Sequence, residues 1–85
     1  MKKSWSVYIL ECRDGTLYTG ATNDIGRRMA MHAAGRGAKY VRARGFGRLV
    51  HVESARNKSA AMVREAEIKK FKRHQKLSLL REPSP

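Results

Sequence analysis

Apolar and polar positions in the first quarter of the chain follow a strand pattern. Ser4-Trp5-Ser6-Val7-Tyr8-Ile9-Leu10-Glu11 and Thr16-Leu17-Tyr18-Thr19-Gly20 are rich in aromatic and β-branched residues and flank an Asp14-Gly15 turn, which predicts a hairpin. Two registers compete. A two-residue Asp14-Gly15 loop puts Tyr8 and Tyr18 on opposite faces of the sheet. A three-residue Arg13-Asp14-Gly15 loop, with Gly15 left-handed in a bulge, pairs Tyr8 with Gly20 and Leu10 with Tyr18, so that both phenols share a face. Periodicity alone does not choose; we favour the second.

Past the hairpin the period lengthens. Thr22-Asn23-Asp24 offers capping oxygens, and Ile25, Met29 and Ala33 at i, i+4, i+8 predict the buried stripe of a helix ending near Gly35. Arg28 and His32, one turn apart, point together beside that stripe. Residues 35–45 are small, basic and punctuated by glycine, which predicts a loop with one short helical turn. Leu49-Val50-His51-Val52-Glu53 reads as a third strand. Asn57 or Ser59 caps a last long helix over 58–73, whose apolar members spread widely enough for more than one side to be covered. Residues 75–80 either continue it or form a further turn.

Composition narrows the class. A chain of 85 residues makes one domain, here 1–80, with a flexible tail at 81–85 that holds both prolines. Nineteen Lys and Arg against seven Asp and Glu leave a net charge of +12, which a polyanion would neutralise. Nucleic acid is the first partner to expect. Ser4, Ser6 and Tyr8 interrupt the apolar run after Lys2-Lys3 and Glu11 ends it, so a secretory leader is not expected, and nothing approaches the roughly 18 apolar residues of a membrane span. Cys12 is the only cysteine, which excludes an intramolecular disulfide and a cysteine-based metal cluster; a reducing, cytoplasmic setting is expected.

Several polar residues exceed what folding needs. Tyrosines usually cover half-buried strand surface, but two on one face opposite Gly20, which leaves a gap over Tyr8, suit an open site. Arg28 and His32 are either a solvated flank or a phosphate clamp, since a guanidinium forks onto phosphate oxygens and an imidazole moves protons near neutral pH. Glu65 and Glu67 stand among many cations; each is a charge-balancing partner of a neighbouring base, or else holds Mg²⁺. Arg36, Lys39, Tyr40, Arg42, Arg44 and Arg48, with Phe46 among them, suit a surface that tracks a phosphate backbone and stacks bases, a disordered basic loop being the plainer alternative. The segment lacks P-loop spacing. His51 and His74 are isolated and read as structural or solvent-facing.

Taken together these residues resemble the GIY-YIG nuclease domain, in its short single-domain form. Ser6-Val7-Tyr8 matches the first motif and Tyr18-Thr19-Gly20 the second, with Ser6 and Thr19 as the departures, and Arg28 and His32 follow on the helix where that family carries an arginine and a histidine or tyrosine. Ala61-Met62-Val63-Arg64-Glu65 matches its later helix and selects Glu65 over Glu67; the asparagine some branches carry near the C-terminus has no counterpart. The resemblance implies an α+β fold, a small three-stranded antiparallel sheet flanked by helices, with the active site over one sheet face. It implies a phosphodiesterase that cuts DNA, branched or single-stranded forms included, with one Mg²⁺ or Mn²⁺ ion held by Glu65, in the setting of repair or recombination; RNA stays open as a substrate. Tyr8 would take the proton of the attacking water, which requires its phenol to be acidified; Tyr18 would position water or phosphate, Arg28 would stabilise the pentacovalent phosphate, and His32 would orient a tyrosine or relay the proton. The alternative is the same scaffold used as a non-catalytic nucleic-acid or ribosome-binding module.

Overall fold

A computed structural model describes residues 4–81. The chain runs β1 (Trp5–Cys12), β2 (Leu17–Thr22), α1 (Ile25–Ala33), α2 (Lys39–Arg44), β3 (Phe46–Ala55), α3 (Lys58–Lys69) and α4 (Arg73–Arg81). The three strands form one antiparallel sheet in the order β2-β1-β3. This is the α+β arrangement expected.

The β1–β2 turn carries the bulge. Gly15 sits at φ 86°, its N–H donates to the Cys12 carbonyl at 3.0 Å, and the Asp14 carboxylate accepts from the Thr16 hydroxyl at 2.6 Å and from its N–H at 3.1 Å. Only glycine adopts that left-handed conformation without strain. The register follows: Tyr8 faces Gly20 and Leu10 faces Tyr18, so the two phenols do share a face.

β1 lies in the middle of the sheet with helices on both sides, and Val7, Tyr8, Ile9 and Leu10 are all fully buried. A strand covered on both faces reads as a continuous apolar run instead of an alternation. Val7 and Ile9 pack against Ala61 and Ile68 of α3 and, beyond them, Phe71, Leu79 and Leu80. Tyr8, Leu10 and Cys12 pack on the other face against Ile25 and Met29 of α1 and Val41 of α2.

Several expectations are corrected. The long helix over 58–73 stops at Lys69: Phe71 N–H turns back to the Ile68 carbonyl, and the Gln75 side chain accepts from Lys72 N–H at 2.8 Å, which starts α4 as a separate element and lets Phe71 turn into the core. Asn57 is its cap, accepting from Ala60 N–H at 2.9 Å. The 35–45 segment carries the short helical turn expected, as the six residues of α2, and not the plainer disordered loop, while β3 is twice as long as read. Ala33 is exposed, and His32 takes its place in the buried stripe of α1. The geometry explains the exchange: at roughly 100° per residue, position i+7 falls within about 20° of Ile25 while i+8 swings about 80° away. The tail read from residue 81 begins inside α4, and 82–85 lie outside the described residues.

Candidate active site

β1 and β2 present Tyr8 and Tyr18 with ring centroids 6.4 Å apart. The first turn of α1 is set by Asp24, whose carboxylate accepts from Arg27 N–H at 3.1 Å, and the helix then swings Arg28 and His32 over the same sheet face. The His32 ring stands edge-on to both phenols at 5.9 Å, and its Nε2 lies 2.9 Å from the Tyr8 hydroxyl. His32 is buried, against the expectation of a position beside the stripe, and its other face stacks on Phe46. Phe46 is therefore a packing partner of the imidazole. The gap anticipated over Gly20 is filled by Tyr8 itself, because a Cβ on Gly20 would meet the phenol oxygen at 2.5 Å. Tyr8 is consequently enclosed, and Tyr18, half-buried, is the more accessible of the two.

The charges bear on one another. Burial foremost, then Tyr18 and the Glu65 carboxylate, push the Tyr8 phenol up to about 12, while the Arg28 guanidinium pulls against them. Tyr18 is raised as well, by burial and Glu65, again opposed by Arg28. Burial and Arg28 lower His32, which keeps the imidazole neutral at pH 7. The five residues thus form one electrostatic cluster. Glu65 rather than Glu67 belongs to it: the Glu67 side chain is 56% exposed and faces Arg64, while Glu65 is 20% exposed with Lys69 at 3.7 Å. Arg28 makes no ion pair with another described residue and lines a cavity of about 270 Å³ with Thr22, Asn23, Asp24, Arg27 and Met31.

This cluster around the two phenols coincides with a sequence likeness along the chain. The GIY-YIG catalytic domain matches residues 4–78. The chain belongs to the GIY-YIG family. It is 48% identical over 80 residues to a UPF0213 protein of Oceanobacillus iheyensis, covering 94% of this chain and 93% of that one. A UPF0213 protein of Halobacterium salinarum is 55% identical over 73 residues, 86% of this chain and 95% of the relative. Among solved structures it resembles the solution structure of a UPF0213 protein from Bacillus halodurans, at 49% identity and a TM-score of 0.57, covering 91% of this chain and 82% of that one. The solution structure of a protein from E. faecalis is 36% identical with a TM-score of 0.64, over 100% and 97% of the two chains. GIY-YIG domains are generally metal-dependent nucleases, and these relatives are short single-domain members.

The GIY-YIG cluster contains one carboxylate, and the described residues hold no group of three or more His, Cys, Asp or Glu fit to cage a metal. That donor set still suits Mg²⁺, which keeps several waters and takes one or two carboxylates together with substrate phosphate. The expected backbone-binding set divides. Arg44 pairs with Asp14 at 2.8 Å and lies over the Tyr40 ring at 4.6 Å, and Arg48 pairs with Glu11 at 3.1 Å. Arg36, Lys39 and Arg42 are exposed and unpaired among the described residues. Tyr40 stacks on Tyr18 at 5.7 Å, joining the basic segment to the site. His51 bonds Glu53 at 2.8 Å within an Arg64 network, and His74 is exposed, as expected of both. No described helix is long and apolar enough to cross a membrane. Two residues escaped the sequence reading. Gly37 lies against the His32 ring, and Arg13 packs its stem on Gly45. Nothing in the local sequence signalled either contact.

Proposed function

We propose that the protein is a metal-dependent DNA endonuclease, cleaving phosphodiester bonds at the Tyr8–Tyr18–Arg28–His32–Glu65 cluster. The observation that supports it is that Arg28 and Glu65 both reach the two phenols electrostatically while His32 bonds Tyr8, the groups being drawn from β1, β2, α1 and α3 of a strongly basic chain.

A phenol near 12 is not an effective base by itself at pH 7. The Tyr8–His32 hydrogen bond supplies a route: with its hydrogen on Nδ1, His32 leaves Nε2 free to accept from the Tyr8 hydroxyl. Tyr8 then receives the water's proton as it passes its own to His32. Tyr18, the more accessible phenol, orients the water or the phosphate, and Arg28 meets the charge that builds on the phosphorus oxygens. Glu65 would hold the metal, which when bound neutralises charge on the phosphate and the leaving oxygen. The reading extends to a cytoplasmic enzyme of repair or recombination acting on branched or single-stranded DNA, with RNA left open as a substrate.

The enclosure of Tyr8 favours a second reading, a module that holds nucleic acid without cutting it. Incubation with branched, single-stranded and duplex DNA, in Mg²⁺ or Mn²⁺ and in EDTA, separates the two. Product that disappears with EDTA and in Glu65→Gln supports the nuclease; salt-sensitive binding with no product supports the module.

A further inference from the structure

A second cavity, of about 420 Å³, opens on the far side of His32, lined by Arg13, Arg42, Val41, Phe46 and the glycines at 35, 45 and 47. Its size falls in the range of ligand pockets, roughly 300–1,000 Å³. Two arginines line it, and neither forms an ion pair with another described residue, whereas Arg44, Arg48 and Arg64 each have a carboxylate. The nearest acidic residues in sequence, Glu11 and Asp14, are already engaged by Arg48 and Arg44. Like charges lining one cavity repel unless an anion sits between them.

The cations are also held in place. The backbone N–H of Arg13 donates to the Gly45 carbonyl at 2.9 Å, and its side-chain stem lies so close to Gly45 that a Cβ there would come within 2.9 Å of Cδ. Gly45 itself has φ 84° and caps α2, the helix that carries Arg42. One left-handed glycine therefore seats the Arg13 stem and ends the helix that carries Arg42. Buried Val41 and half-buried Phe46 give the cavity an apolar floor. Across Phe46 lies the His32 ring of the catalytic cluster.

We propose that this cavity is a second phosphate site, in which Arg13 and Arg42 grip a backbone phosphate of the bound strand other than the one cleaved. Planar guanidinium forks bind phosphate oxygens in a bidentate way, and two of them fix the strand's direction across the sheet face. The assignment of that strand as substrate rests on the nuclease reading; the phosphate site itself does not.

The test is a titration in EDTA, so that no cleavage occurs, of inorganic phosphate, a 5′-mononucleotide and a short single-stranded oligonucleotide, followed by ¹H–¹⁵N resonances of the arginine Nε–H groups and of the glycine amides. All three ligands are expected to shift Arg13, Arg42, Gly45 and Gly47. Arg13→Gln and Arg42→Gln, which keep the stems, are expected to abolish that response with thermal melts unchanged, each flattening the log K against log[salt] slope for the oligonucleotide by about 0.7. Equal shifts at all exposed arginines, or variants with wild-type salt slopes, would overturn the proposal. A response to free phosphate and mononucleotide without one to the oligonucleotide also overturns it, in favour of a site for a free phosphate monoester. A protein that responds as expected yet cuts nothing keeps the phosphate site and loses the nuclease reading; one that cuts DNA with a silent cavity does the reverse.

Discussion

Replacing Gly37 by alanine puts a methyl group where His32 already is. A Cβ at this position would lie 2.1 Å from Nδ1, 2.6 Å from Cε1 and 2.8 Å from Cγ of the imidazole, while ordinary contact begins at 3.4 Å. Ring or loop must therefore give way by about 1.3 Å. The loop resists, because Arg36 N–H is tied to the Met31 carbonyl at 2.8 Å and Gly35 N–H to the His32 carbonyl at 3.1 Å. The ring resists as well, sandwiched by Phe46 and the two phenols. Overpacking of this kind costs about 1–3 kcal/mol, and in a domain of this size each kcal/mol lowers the melting temperature by about 4–8 °C. A displacement of that length along the 2.9 Å Tyr8–His32 bond breaks it. We expect Gly37→Ala to melt about 5–20 °C lower by circular dichroism, with displaced His32 ring-nitrogen resonances. The exposed neighbour supplies the control: Arg36→Ala should stay within about 0.5 kcal/mol of wild type. A Gly37→Ala protein with an unshifted melt and unshifted His32 nitrogens would refute the claim that this glycine seats the imidazole.

Other perturbations act through the same cluster. Arg28→Ala and Glu65→Gln should each lower the cleavage rate on the order of a hundredfold while melting normally; unchanged rates in gel-based cleavage assays would reject their roles. Tyr8 ionises near 10 when unfolded and about 12 when folded, so its contribution is complete below pH 10 and is lost as pH rises from 10 through 12, by up to about 3 kcal/mol. Denaturant midpoints across that window, alongside a near-ultraviolet tyrosine titration, check the sign. His32 runs the other way: with a folded pKa below the usual 6.5, its contribution is present above pH 6.5 and declines as the pH falls below it. Removal of His32 by substitution with phenylalanine should erase that acid-side loss in the same midpoints.

Much of this protein was legible in one dimension because the rules involved are short-range. Turn chemistry at Asp14-Gly15, capping oxygens at Asp24 and Asn57, and a change of period from strand to helix all act within a few residues, and each of these elements stands near where the pattern placed it. The family motifs were legible for the same reason, since Tyr8, Tyr18, Arg28, His32 and Glu65 lie on such elements within short local patterns. Their environment was not. Whether Tyr8 stands open or enclosed depends on the absent side chain of Gly20, across the hairpin, and whether His32 is solvated or buried depends on Gly37 and Phe46, which arrive from α2's flanks. The break between α3 and α4 likewise followed from Phe71 turning into a core contributed by β1, not from any residue in the helix disfavouring its continuation.

Sequence alone determined the hairpin, the first helix, the start of α3 and the excess of positive charge, and narrowed the hairpin to two registers between which the structure chose. Tertiary structure decided which charges are free and which proton acceptors are dry: it paired Arg44 and Arg48 with carboxylates thirty and thirty-seven residues away, left Arg13 and Arg42 lining a common cavity, and withdrew Tyr8 and His32 from water. The physical reason is range. Backbone preference is settled by near neighbours, whereas burial and Coulomb energy depend on every group within several ångströms, whatever its place along the chain.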